Sequence, residues 1–176
     1  LGKERHPIAA LSLYNFVPSC YSCNTKFKND KTLIENINDL HLSPTSDLFD
    51  FQDKIRFKIF FPLDKTKTYL AIKVPDDFVL EYEIDGGGEN YNKYIDLFKL
   101  RSRYIFHKRE VAKLVNKRKN YTGARITELS NLTGQSEEYV ERQIFGEEVY
   151  NRAYDYSPLT KFKRDIAKDI GLKNVL

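Results

Sequence analysis

The chain has 176 residues, 41% hydrophobic, 31% charged and 14% aromatic, with a formal charge of +4 and a mean hydropathy of -0.56. One or two small cores are expected at this length; the aromatic content excludes a disordered chain, and no apolar run nears the roughly 18 residues of a membrane span. Two cysteines are too few for a disulfide framework, and the mild basicity allows a nucleic-acid partner without requiring one.

Residues Leu1 to His6 form no secretory signal, so a soluble protein of the cytoplasm without a membrane partner is expected. The chain contains no methionine, which fits a start upstream of Leu1. Ile8 to Phe16 reads as a short extended segment entering a loop, broken by Pro18 and the cysteines. A short helix is predicted from around Cys20 to Asn24 into the basic Lys26, Lys28 and Lys31. The Asn/Asp-rich stretch from Leu33 to Asp47, ending in Ser43-Pro44, is predicted to be irregular. Alternation of apolar and polar residues predicts strands over Lys54 to Phe61, Tyr69 to Val74 and Phe78 to Ile84. Their natural outcome is a small antiparallel sheet, followed by a turn at Asp85-Gly86-Gly87-Gly88.

Beyond Tyr91 the period becomes helical. At about 100° per residue, Leu100, Tyr104, His107, Val111, Leu114 and Val115 fall on one arc, and Arg101, Lys108, Arg109, Lys113, Lys117 and Lys119 fall outside it. This predicts an amphipathic helix with a basic outer face and with His107 in the core. A second helix is predicted over Ala124 to Leu132. A third opens at Ser136 as N-cap, with Glu137 and Glu138 suiting its dipole and Gly146 ending it. The last covers Leu159 to Ile170, after Ser157-Pro158, and stops at Gly171.

Cys20-x-x-Cys23 alone reads as half a metal clamp, a redox dithiol or two ordinary thiols. In its setting, Asn15-Phe16-Val17-Pro18-Ser19-Cys20-x-x-Cys23-Asn24-x-Lys26, it resembles the ββα-metal motif of the HNH endonuclease family. The resemblance implies that Asn15 orients the catalytic histidine and that Asn24 projects from the helix toward a catalytic divalent cation, Mg²⁺ or similar. It also implies that Cys20 and Cys23 are two ligands of a structural Zn²⁺, which needs two further ligands for a tetrahedral site. In the family a second Cys-x-x-Cys and an Asp-His pair precede the Asn, the Asp binding the metal and the His activating water. Leu1-Gly2-Lys3 and His6-Pro7 match the tail of that stretch, which places the pair just before Leu1. His6, nine residues before Asn15, is short of the usual hairpin spacing and reads better as a surface or packing histidine.

The C-terminal half resembles, at scattered positions, a helical region of some bacterial HNH proteins: Phe98-Lys99-Leu100, Tyr104 to Lys108, and Pro158-Leu159-Thr160-Lys161 with Asp165-Ile166. Ser157 stands where those proteins often have Arg. The expected fold class is therefore α+β, with a partial HNH ββα-metal motif over residues 1–48, a small β-rich segment over 49–90 and a helical subdomain over 91–176.

The function the resemblance implies is metal-dependent hydrolysis of phosphodiester bonds, with DNA favoured over RNA, in a setting of bacterial antiviral defence or restriction, beside an ATPase or other protein subunit. Lys26, Lys28 and Lys31 are candidate phosphate contacts. So are Lys108, Arg109, Lys113 and Lys117, because nine Lys/Arg between Lys99 and Lys119 face a single acid, Glu110. The alternative is a non-catalytic nucleic-acid-binding or assembly module with a structural Cys pair and a basic helix. Ile126 to Val140 is similar to a helix-turn-helix, but Glu137 and Glu138 at the start of its second helix would repel phosphate, so a structural helical hairpin is preferred.

Overall fold

The computed structural model describes residues 7–10, 17, 19–31, 33–34, 37–64, 66–86 and 88–176. The chain folds into two compact units, Leu1–Ile55 with Ile84–Arg103, and Arg56–Glu83 with Tyr104–Leu176. Helix and strand are mixed, as an α+β class requires. No helix of the described residues is long and apolar enough to cross a membrane.

The first unit is built from short pieces: α1 (Pro7–Ala10), a wide π-type helix over Ser22–Lys28, a 3-10 helix over Ile37–Leu42, α2 (Phe51–Lys54) and α3 (Tyr91–Leu97). Helical Pro7–Ala10 departs from the extended segment expected there; residues 11–16 of that segment lie outside the described residues. Tyr91 and Ile95, one turn apart on α3, are fully buried together with Leu42. Phe51, Phe49 and His41 meet the Tyr91 ring edge-on at 5.3, 6.0 and 5.7 Å, the arrangement that aromatic quadrupoles favour. The Tyr91 hydroxyl accepts from the Asp50 N–H at 3.0 Å and shares its proton between the Asp50 carboxylate at 2.7 Å and the His41 carbonyl at 2.9 Å. A buried phenol thus finds partners on the 3-10 helix and at the residue before α2, and its desolvation pushes its pKa up. Gly88 is required where the loop after residue 84 folds back: a Cβ there would lie 2.9 Å from Ile84 Cγ2 and 3.1 Å from Lys54 Cβ.

The second unit carries the larger core. Strands β1 (Ile55–Phe60) and β2 (Val79–Ile84), whose residues 55 and 84 count with the first unit, form a two-stranded antiparallel sheet. Tyr69 to Val74, expected as a third strand, is instead a 3-10 turn over Tyr69–Ala71 and an irregular link. Its backbone groups are satisfied without a ladder. Lys119 Nζ donates to the Ile72 carbonyl, and the Asp77 carboxylate accepts from the Lys73 and Val74 N–H groups at 2.6 and 2.9 Å. Those donors also hold the Asp77 carboxyl below its ordinary value.

The expected long basic helix is divided into α4 (Leu100–Tyr104), a 3-10 turn over Ile105–His107 and α5 (Lys108–Asn120). The tighter turn brings residues three apart onto one side. Tyr104 and His107 are 5.7 Å apart there, with Tyr104 at 4.4 Å from Phe57 and His107 at 6.3 Å from Phe162. Ile105 and Phe106 are left exposed. Further on, Val111, Leu114 and Val115 are buried, as the predicted arc requires.

Helices α6 (Gly123–Thr133), α7 (Glu137–Phe145), α8 (Glu147–Tyr150) and α9 (Thr160–Asp169) complete the unit. Their ends follow local signals. Gly134 closes α6 at φ 69°, Ser136 Oγ accepts from the Tyr139 N–H at 3.1 Å at the start of α7, and Gly146 ends that helix at φ 105°. The core gathers Phe57, Ile72 and Phe78 with Val111, Val115, Ile126, Phe145, Phe162 and Ile166.

The outer edge of β1 is met by α9. Asp165 accepts from the Phe57 N–H at 3.1 Å and Asp169, one turn on, from the Ile59 N–H at 2.9 Å. Asp165 is also ion-paired with Lys161 at 2.9 Å, yet desolvation dominates and raises its carboxyl above the ordinary carboxylate value. A folded-state pKa above the unfolded one means that ionisation disfavours the fold. The contribution is present in full below about pH 4 and is lost as pH rises through the raised value. Asp165→Asn keeps an oxygen for the Phe57 N–H and cannot ionise. Its stability relative to the parent protein is expected to increase from about pH 4 to pH 7 in urea unfolding curves; a difference that falls over that interval would show that the Lys161 pair outweighs desolvation.

Candidate metal centre and nucleic-acid interface

Cys20 and Cys23 lie where an irregular segment turns into the Ser22–Lys28 helix, and both thiols are free. The Cys23 N–H points at Cys20 Sγ, 3.4 Å away. That bond, the neighbouring Cys23 thiol and the positive charge of Arg103 hold the exposed Cys20 thiol below its ordinary value. Cys23 Sγ accepts from Arg103 Nη1 at 3.2 Å. The Arg103 guanidinium also lies over the Phe27 ring, 5.9 Å from its centroid, so the helix and residue 103 are joined at two points.

The helix itself is wound wide. Asn29 N–H reaches back five residues to the Asn24 carbonyl at 2.8 Å, and Asn29 then leaves with φ 44°. Such π-type turns recur at functional sites. Asn24 is exposed, and its side chain has no hydrogen bond to another described residue. Lys26 and Lys31 are exposed and Lys28 is partly so, none of them ion-paired among the described residues. Lys26 and Lys28 stand in the last turn, where they also complement the negative end of the helix dipole. Asn15 and His6 lie outside the described residues.

Two thiols three residues apart, one of them already held toward its thiolate, suit zinc. They supply two of its four ligands. Among the described residues no group of three or more His, Cys, Asp or Glu side chains is placed to hold an ion. Asn24 therefore offers a hydrolytic cation one neutral oxygen, and the described residues do not by themselves build that ion's site.

The four candidate phosphate contacts on α5 belong to the second unit, and most are engaged within it. Lys108 Nζ lies 4.9 Å from the Phe78 ring centroid, a cation–π contact. Lys113 pairs with Glu110 at 2.7 Å, and Lys117 donates to the Ile144 carbonyl at 2.6 Å. Arg109 alone of the four predicted contacts is exposed and without a partner among the described residues. The structure thus brings Cys20, Cys23, Asn24 and the three following lysines into one segment and places the other four residues on α5. Arg103 was not singled out by sequence reasoning. Its contact with Cys23 spans 80 residues, and nothing local marks it apart from the other basic residues around it.

No family model matches the chain, and no curated protein or solved structure matches it.

Proposed function

We propose that the chain works as part of a metal-dependent endonuclease of the HNH type, hydrolysing phosphodiester bonds of nucleic acid, DNA before RNA, in bacterial defence or restriction. An ATPase or other protein subunit is the proposed companion. The observation that carries the reading is the passage from the Cys20–Cys23 turn straight into a short helix that presents an exposed, unbonded Asn24, with Lys26 and Lys28 beyond it. In this reading Cys20 and Cys23 hold a zinc ion, whose chemistry is structural: it fastens the turn to the helix. Arg103 donates to the Cys23 sulfur and steadies its negative charge. Asn24 would face the catalytic divalent cation, whose chemistry would be to polarise the phosphate, and Lys26, Lys28 and Lys31 bind the phosphates beside it.

The test uses the full-length protein with supercoiled plasmid and Mg²⁺. Asn24→Ala is expected to lower nicking by roughly 100-fold, the upper range for loss of a group supporting a metal site, while bound zinc measured by elemental analysis stays the same. Cys20→Ser with Cys23→Ser is expected to lose the zinc. Cleavage unchanged by Asn24→Ala would sink the nuclease assignment. Salt-steep binding without Mg²⁺-dependent cleavage would assign the chain to a non-catalytic nucleic-acid module instead.

A further inference from the structure

Between α8 and α9 the second unit carries two exposed tyrosines for which the core has no use. Tyr154 is 37% and Tyr156 84% exposed. Their rings lie 6.4 Å apart, centroid to centroid, and within 27° of parallel. Single aromatic residues scattered on a surface are ordinary. A near-parallel pair on a braced loop is different, because the brace has a cost.

Arg164, 8% exposed, is spent on that loop. Its Nη1 pairs with the Asp155 carboxylate, its Nη2 donates to the Asn151 carbonyl at 2.7 Å and its Nε to the Glu148 carbonyl at 2.9 Å. Thr160, also buried, donates from Oγ1 toward the Tyr154 and Ser157 carbonyls at 3.1 and 2.8 Å. Leu159 is held at φ 63°, a left-handed conformation that is unfavourable for a residue with a Cβ. The backbone that carries the two rings is thus braced, so little backbone freedom is lost when something packs on them.

The charge around the rings favours a phosphate chain. Asp155 is the one carboxylate between residues 151 and 159, and Arg164 engages it. Arg152, which opens the same 3-10 turn as Tyr154, is exposed and has no ion pair among the described residues. Two rings make too small a patch for a protein docking site: even two fully covered aromatic side chains account for about 300–500 Å², against about 800 Å² per partner in a stable interface.

We infer that Tyr154 and Tyr156 form a stacking platform for an unpaired base of a DNA strand, with Arg152 contacting the adjoining phosphate. The inference rests on the nucleic-acid reading above and adds to it a preference for unpaired substrate. A base in a duplex keeps its faces covered by its neighbours, whereas one in a single strand can lay its face on an aromatic ring whatever its identity.

The test measures fluorescence anisotropy of a labelled single-stranded DNA and of its duplex with the full-length protein. Tyr154→Leu with Tyr156→Leu is expected to weaken single-strand binding by roughly tenfold, the scale of losing a base–aromatic stack, and to leave duplex binding unchanged. The corresponding double Phe variant is expected to bind as the parent does. A 2-aminopurine placed in the strand should be quenched by the parent and by the Phe variant but not by the Leu variant. A Leu variant that binds single strands as the parent does overturns the platform while leaving the nucleic-acid reading standing. A parent protein that binds neither DNA form overturns the nucleic-acid reading itself.

Discussion

Phe162→Ala is expected to lower the free energy of unfolding by about 3–5 kcal/mol, the range for emptying a buried aromatic site. Phe162 is 1% exposed on α9 and meets Phe57 of β1 edge-on at 5.0 Å and Tyr104 at 5.5 Å. Among the described residues the sheet has two strands, and an isolated pair is barely stable in water, so its inner face depends on the helix that covers it. Loss of the ring removes the edge-on partner of Phe57 and leaves a space that the surrounding core fills only in part. A urea titration followed by far-UV circular dichroism measures the effect. A cost below about 1.5 kcal/mol, typical of substitutions that conserve volume, would show that the site collapses freely.

Arg164→Met is expected to cost about 2–4 kcal/mol, because two carbonyls lose a charged donor at about 1–3 kcal/mol each. The side chain is replaced by one of similar reach, so packing is largely kept and the loss is polar. The Glu148 and Asn151 carbonyls lose their donors, and Asp155 loses its counter-charge. Arg164→Lys is expected to recover only a fraction, because an ammonium cannot reach three acceptors in the plane of a guanidinium. Asp155→Asn should be much milder, since that side chain is 48% exposed and water can replace the lost charge. Equal stabilities for the Met and Asp155→Asn variants would show that the carbonyl bonds contribute nothing.

The parts of the fold legible from sequence are those decided within a few residues. Ser136 and Gly146 bound α7, and Val111, Leu114 and Val115 turn to the core, because capping and helical period depend only on neighbours along the chain. Tyr69 to Val74 misled because alternation signals a strand only if a ladder partner exists. Here Lys119, from the far side of the sequence, and Asp77 take up its backbone groups. The division of the long basic helix was hidden for a similar reason: it follows from aromatic packing of Tyr104 and His107 with Phe57 and Phe162.

The candidate site shows the same limits. The Cys20 to Lys26 spacing was visible because it is a local motif, and the helix begins close to where it was expected. Arg103 was invisible because its role exists only through a contact made 80 residues away. The basic bias of α5 is read as a candidate binding face from helical period and charge count, and neither signal shows which of its side chains also meet partners inside the protein. Lys113 pairs with Glu110 and Lys117 donates to the Ile144 carbonyl while both stay exposed.

The two aspartates on α9 also govern what the molecule must avoid. Ile55–Phe60 is a run of apolar residues interrupted only by Arg56 and Lys58, and a strand edge of that kind is a template for pairing with another chain. With Asp165 and Asp169 occupying the Phe57 and Ile59 donors, an incoming strand would have to displace two carboxylates and accept their charge beside it. Self-association through β1 is thereby tied to the docking of α9: loosening of that one helix, well short of global unfolding, is enough to expose an adhesive edge.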